Sequence, residues 1–359
     1  MALIFKVITR ITGVIFAILM PLLLISPLSY ADAPNGNEAS VIEVNAIESS
    51  ANKTNANEAN ALKTNVTEPQ RSSIVLGVIS SKPKKAFKRS QQLADYLAAH
   101  LQDHGVTVGE VKVAKDLDQM KELFRTGQVD LISETSFSAY ELKEAQLADM
   151  VARQWKGGSK EYYSIFFTRK DRGINNFDDL LGQIIVFEDQ RSTSSFLIPA
   201  ITLLENGYDL HKVTSPRDSV PEGSIGFFFS DEVSRYGDET NMMSWVHNNI
   251  VAASVFSNLD WIDEVPNNIK SQLMIFHESQ PQPRAIMLTR STLNPDLKKA
   301  IKLTLFNAHD DIAGKQALMA FKSTSKFDAL TQQDRNSIDQ LGSKLELITP
   351  LVSHTPSSK

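Results

Sequence analysis

The stretch QIIVFEDQRSTSSFLIPAITLLENG, Gln183–Gly207, decides the fold. Ile184-Ile185-Val186-Phe187 is an unbroken apolar run. A strand with no polar alternation is covered on both faces, as in the parallel sheets of α/β proteins. Leu197 to Glu205 then reads as a helix that stops near Gly207. Between them lie four hydroxyl residues, Ser192-Thr193-Ser194-Ser195. The first amides of a helix lack internal acceptors and carry the positive end of its dipole. An anion placed there collects several N–H bonds, and nearby hydroxyls add more. Pro199 has no N–H, which leaves upstream amides free to donate. In open α/β sheets, turns at the carboxyl ends of strands are where ligands bind. Ordinary capping explains the same residues: one Ser caps the helix and its neighbours face water. On the residues alone, both readings stand.

The pattern repeats outward. Ile74 to Ile79 is a buried-strand run, and Phe87, Ala94, Leu97 and Leu101 follow at helical spacing. Val106 to Ala114 reads as a strand, Leu117 to Arg125 as a helix ended by Gly127, and Val129 to Ile132 as a strand. Met150 to Trp155 and Tyr162 to Thr168 are further strands, and Phe177 to Leu181 is a short helix closed by Gly182. Ile225 to Phe229, Ile250 to Phe256 and Arg284 to Thr289 continue the series. Asn294-Pro295 reads as an N-cap followed by Pro at the first helical position. Leu297 to Ala308 and Ile312 to Phe321 are helical. Strands alternating with helices give an α/β architecture with mainly parallel sheets. About 280 folded residues suit two lobes better than one.

Residues 1–31 form a signal-peptide pattern. Lys6 and Arg10 are followed by an uncharged, mostly apolar run to Leu28, and Ser29-Tyr30-Ala31 ends in a cleavage-like site. Residues 32–72 are rich in Asn, Ala, Glu, Ser and Thr with almost no aromatic residues, and are expected to be a disordered spacer. The chain has no Cys, which excludes disulfides, thiolate metal sites, Cys nucleophiles and a lipid anchor on cysteine. Without Lys6 and Arg10 the 37 basic residues fall to 35 against 42 acidic ones, taking the formal charge from −5 to −7. That balance argues against a general nucleic-acid binder.

Ser192-Thr193-Ser194-Ser195, with Pro199 four residues on, resembles the Ser-Thr-Ser-Gly-x-x-x-Pro signature of the PhnD-like periplasmic substrate-binding proteins of phosphate and phosphonate ABC transporters. Tyr162-Tyr163-Ser164 with Phe166 to Asp171 resembles that family's hinge strand. Phe177 to Gln183 resembles another of its segments. Val129 to Ile132 followed by Ser138-Ala139-Tyr140 resembles the loop that carries a ligand-facing tyrosine. The resemblance spans about Ile74 to Phe321 in the expected order. It implies a two-lobe type 2 periplasmic binding protein fold, with a ligand cleft and a two-strand hinge. Lobe 1 would take 73–165, lobe 2 would take 166–265, and 266–350 would return to lobe 1 and add C-terminal helices. It implies a small oxyanion-bearing ligand on Ser192, Thr193, Ser194 and Ser195, with Tyr140 and Ser136 in the facing loop; Arg191, next to the cluster, suits an oxyanion clamp and equally solvent or a pairing with Asp189. An ABC permease is the implied partner, or a membrane sensor if the module reports on its ligand. The chain is expected to be periplasmic, or membrane-anchored if the signal is uncleaved, and monomeric, with no cofactor or metal and no catalysis.

Three departures from the family pattern bear on the site. Ser195 stands where the family has Gly. Ser136-Phe137 stands where it has Gly-Pro. Val251 stands where phosphonate binders carry an acid, with Asn258 and Asp260 as possible substitutes.

Lys82, Lys84, Lys85, Lys88 and Arg89 crowd the start of the first helix, against its dipole; a solvated surface run explains them, as does a role in drawing anions. His100 and His104 have zinc-compatible spacing but no third ligand nearby. Tyr162, Tyr163 and Trp155 suit either a cleft or a core. There is no Gly-x-Ser-x-Gly elbow and no Gly-rich phosphate loop.

Overall fold

The computed structural model describes residues 72–234 and 239–352. The signal-peptide and spacer expectations therefore lie outside the described residues, Ser72 aside.

The first lobe opens with β1 (Ser73–Ile79), α1 (Pro83–His100), β2 (Val108–Ala114), α2 (Leu117–Arg125), β3 (Leu131–Glu134), α3 (Ser136–Glu144) and β4 (Ala148–Gln154). The chain crosses at β5 (Glu161–Tyr162). The second lobe holds β6 (Ser164–Arg169), β7 (Ile184–Phe187), α4 (Ile198–Glu205), β8 (Asp209–Lys212), β9 (Ser224–Phe229), α5 (Ser230–Val233), α6 (Glu239–His247), β10 (Ala253–Ser257), α7 (Asn258–Glu264), α8 (Asn267–Lys270) and β11 (Leu273–Glu278). It crosses back at β12 (Gln282–Pro283). Then come β13 (Ala285–Arg290), α9 (Pro295–Asn307), α10 (Ile312–Ala320), β14 (Phe327–Asp328), α11 (Gln332–Gly342) and α12 (Leu345–Val352).

Two six-stranded sheets result, in the orders β14-β4-β13-β3-β1-β2 and β11-β6-β10-β7-β9-β8. The expectation of mainly parallel sheets needs correction: five of the ten pairings are antiparallel. The reason is the crossing. A strand arriving from the other lobe enters beside the carboxyl ends of the parallel strands and must run against them. Thus Ile286, near the start of β13, faces Glu134 at the end of β3. Likewise Ser164 opens β6 opposite Ser257, the last residue of β10. A second correction concerns the lobe limits. β11 pairs with β6, so the second lobe runs past residue 265 to the crossing at β12.

The apolar runs work as their lack of alternation implies. Ile74 and Leu76 pack on the α1, α9 and α10 side of the first sheet, and Val75 on the opposite side with Met120 and Ile338. In the second sheet Ile185, Phe187, Phe227 and Phe229 face one layer, while Ile184, Val186 and Phe228 face the other. Each such fully buried side chain contributes roughly 1.5–3 kcal/mol. Asn294 does cap α9, accepting from the amides of Asp296 and Leu297.

Two antiparallel segments form the hinge, with Tyr162 opposite Gln282 and Glu161 opposite Pro283. Beside it Arg153 of β4 binds Asp328 through two 2.9 Å contacts and Asp334 of α11 at 3.3 Å. The C-terminal helices add a third tie. α11 packs on α3, whereas α12 packs on α4 and β8 of the second lobe. Lys344 pairs with Glu205 at 2.6 Å, and Ile348 enters the second lobe's core.

Candidate anion site between the lobes

The hydroxyl stretch forms a wide π-type turn, Thr193–Leu197, that runs into α4. It both caps and leaves donors open. Ser192 is the cap: its hydroxyl accepts from the Ser195 amide at 3.2 Å. Its carbonyl accepts from the amides of Phe196 and Leu197. The Ser195 hydroxyl donates to the Val255 carbonyl of β10 at 2.6 Å. Ser195 does not have a positive φ, so the turn does not demand glycine there. Phe196 fixes the turn from beneath, with ring centroids 5.3 Å from Phe187 and 4.7 Å from Phe229. Thr193 is different. Its hydroxyl is buried without a hydrogen-bond partner. Among the described residues, the amides of Thr193 and Ser194 also have no protein acceptor.

Beside Thr193 stands Tyr162 of the hinge, fully buried, its hydroxyl also unpartnered. The two hydroxyls sit close enough to influence each other without forming a well-aligned bond. The Arg284 guanidinium lies over the Tyr162 ring at 4.6 Å, and its Nε is buried without a partner. Burial pushes the Tyr162 hydroxyl pKa up, against the pull of Arg284 and Thr193.

Two more cations join Arg284. Burial, with repulsion from Arg284 and Lys322, pushes the Lys156 ammonium down to about 7, opposed by Glu134 and Asp260. Burial lowers Lys322 too, opposed by Glu134. Lys322 donates to the Ser133 carbonyl at 2.8 Å. Its backbone has φ 56°, a left-handed conformation that a side chain rarely adopts without compensation. Acids border the cluster. Asp260 is held by Ser257 at 2.5 Å. Glu188 is pushed up to about 7 by burial and by Glu239, Asp189 and Asp260. The arrangement gathers unpaired N–H and O–H donors and three cations, which is the chemistry of an oxyanion cradle.

The remaining residues expected from sequence lie as follows. Ser194 is half-buried in the turn. Arg191 is exposed, and its amide donates to Asp189 at 2.7 Å. Its charge reaches Asp116 of the opposite lobe and helps hold that carboxyl low, after the dominant Gln119 amide bond. Ser136 opens α3 with a buried, unpartnered hydroxyl. Tyr140 packs on α11: a Cβ placed on Gly342 would meet its ring at 2.1 Å. Its ring is thus engaged in the α3–α11 contact. Val251 is buried in the second lobe's core rather than at the cradle. Asn258 is occupied accepting from the Tyr163 amide at 3.0 Å, which leaves Asp260 as the acid beside the cations. Trp155 donates to Asp328 at 2.9 Å and Tyr163 packs on the core, so of the aromatic candidates only Tyr162 reaches the cluster.

Sequence reading missed Lys156, Arg284 and Lys322. They are single cations in unrelated segments, brought together only by the hinge crossing and the turn after α10. The local signals were slight: Gly157-Gly158 after Lys156, and the start of a strand after Arg284.

Two lobes joined by a strand ribbon, with donors converging at the hinge, define the class: a cleft-type solute-binding protein. The sequence profile of the periplasmic substrate-binding proteins of phosphonate ABC transporters matches residues 76–335, and the chain belongs to that family. The XAC2383 protein from Xanthomonas citri, solved with chloride and with ATP, is 29% identical, with a TM-score of 0.71 over 79% of this chain and 100% of that one. PhnD1 from Prochlorococcus marinus, solved with methylphosphonate, is 20% identical, with a TM-score of 0.54 over 77% and 98%. A binding-protein component of a phosphonate ABC transporter from Pseudomonas aeruginosa is 18% identical, with a TM-score of 0.53 over 80% and 90%. The fold is that of the type 2 periplasmic binding proteins. The family is a periplasmic, ligand-binding transporter component rather than an enzyme. Among the described residues no helix is long and apolar enough to cross a membrane.

Proposed function

We propose that this protein is an exported solute-binding protein that takes a phosphate- or phosphonate-class oxyanion between its lobes for delivery to an ABC permease. One observation carries the reading. The Thr193 hydroxyl, the Tyr162 hydroxyl and the Arg284 Nε are buried together and unpartnered. Leaving a buried donor unpaired costs about 1–3 kcal/mol. A tetrahedral oxyanion accepts from all three, and from the open amides of Thr193 and Ser194. Arg284, Lys156 and Lys322 then balance its charge. Ser192 and Ser195 hold the turn and Ser194 lines it. Arg191, exposed and immediately before the turn, adds positive charge at the approach to the site. The relatives solved with methylphosphonate and with ATP share a tetrahedral phosphorus oxyanion, which supports the same headgroup chemistry here.

The test is melting temperature with phosphate, phosphite, methylphosphonate, 2-aminoethylphosphonate and sulfate. A ligand at about 100 times its dissociation constant adds about 2.7 kcal/mol of stability, which is readily seen. If none of these oxyanions shifts the melting temperature, the reading is wrong.

A further inference from the structure

Next to the cradle is a second compartment of different character. It has a volume of ≈ 570 Å³ and lies between Ile79, Leu117 and Phe137 of the first lobe and Leu197 of the second, with Ile348 and Val352 of α12 closing one side. It borders the hydroxyl turn at Leu197, the turn's last residue. Asp189, Gln190 and Arg191, the residues leading into Ser192, form part of its wall. Glu134 lines it as well, and its charge reaches Lys156 and Lys322 of the cradle.

We propose that the ligand is a phosphate monoester or phosphonate with a bulky ring-bearing organic group, and that this compartment holds the group while the oxyanion sits on the Thr193 turn. The inference rests on the function proposed above. Three observations support it. The volume lies within the range of about 300–1,000 Å³ typical of pockets for organic ligands, where a lone tetrahedral ion would leave most of the space empty. About half of the wall is apolar, six aliphatic side chains and Phe137, so burying a ring against that part is favourable. The charged groups that line it are mostly acidic, Glu134, Glu141 and Asp189 against Arg191. These carboxylates repel a second oxyanion but can accept hydrogen bonds from amino or hydroxyl donors on a ring. The compartment is therefore unsuited to a phosphoryl group and suited to what a phosphoryl group is attached to.

Isothermal titration with methylphosphonate, phenylphosphonate and adenosine 5′-monophosphate tests the idea. The two ring compounds are expected to bind at least about tenfold more tightly than methylphosphonate, a difference of about 1.4 kcal/mol. Leu117→Trp and, separately, Thr349→Trp place an indole in the compartment from different walls, and each should bring the ratio of ring to methyl affinity towards one. Equal affinity for methyl- and phenylphosphonate in the unaltered protein overturns the inference and leaves the oxyanion reading standing. So does a ratio that both Trp variants preserve. Failure to bind any of the three compounds overturns the oxyanion reading and this inference with it.

Discussion

The Arg284 guanidinium lies over the Tyr162 ring, 4.6 Å from its centroid, at the two segments that join the lobes. This stack sets the cation at the pivot of the cleft, where lobe movement displaces it least. The Arg284 Nε is buried there, and a charge-assisted bond made away from water is stronger. Arg284→Ala should weaken oxyanion binding by about 10- to 100-fold, on a loss of about 1.5–3 kcal/mol for a hydrogen bond to a charged group. Arg284→Lys should recover only part of this, because an ammonium keeps the charge but loses the planar stack. Titration calorimetry with methylphosphonate on the three proteins checks the order. Equal affinity for all three would remove Arg284 from the site.

Thr193 supports a prediction with opposite signs for stability and binding. Its buried hydroxyl has no partner in the free protein. Thr193→Val replaces it with a methyl group of the same shape and removes the desolvation cost. The variant should melt higher than the parent without ligand, by up to about 1 kcal/mol of stability. It should bind oxyanions about 5- to 10-fold more weakly. Paired thermal and calorimetric measurements separate this from a simple packing role, which would lower stability and leave affinity alone.

The legibility of this sequence divides by range. The strand-turn-helix unit at Gln183–Gly207 was readable because strand, hydroxyls and helix are contiguous and obey local rules of burial and capping. So was the cap at Asn294. The direction of β6 and β13 was not, because an apolar run says how deeply a strand is buried but not which way it enters a sheet. The cradle was half legible for the same reason. Its hydroxyls are consecutive, while Lys156, Arg284 and Lys322 come from three distant segments. Tyr140 shows a contact of the same long-range kind: Gly342 of α11, 202 residues on, leaves a gap that its ring fills.

Ser195 stands where the family signature has glycine, and it has gained a structural task. Its hydroxyl ties the turn to the Val255 carbonyl of β10 at 2.6 Å. Ser195→Gly removes that bond, worth about 0.5–1.5 kcal/mol, and adds backbone freedom worth roughly 0.5–1 kcal/mol in a helical setting. Urea unfolding should show a loss of about 1–2 kcal/mol with little change in oxyanion affinity. A large fall in affinity at unchanged stability would instead make the Ser195 hydroxyl a ligand contact.

Lys156 and Glu188 give the cleft a pH response near neutrality. Burial, with Arg284 and Lys322, pushes Lys156 from 10.5 down to about 7, against Glu134 and Asp260. Burial, with Glu239, Asp189 and Asp260, pushes Glu188 from 4.5 up to about 7, against Ser192. Raising the pH from 6 to 8 therefore neutralises Lys156 and ionises Glu188, and both changes make the site less attractive to anions. Sulfate keeps its charge across this range, so its affinity should fall by about tenfold or more, and Lys156→Gln should flatten the profile. The stability effect of Glu188 has its own sign. Between pH 4.5 and about 7 the unfolded carboxyl has lost its proton while the folded one keeps it. The native state then binds more protons, so stability falls as pH rises through that interval. Glu188→Gln lacks this slope, and its melting temperature should gain on the parent between pH 5 and pH 7.5. Parallel melting curves across that range would show that Glu188 titrates alike in both states.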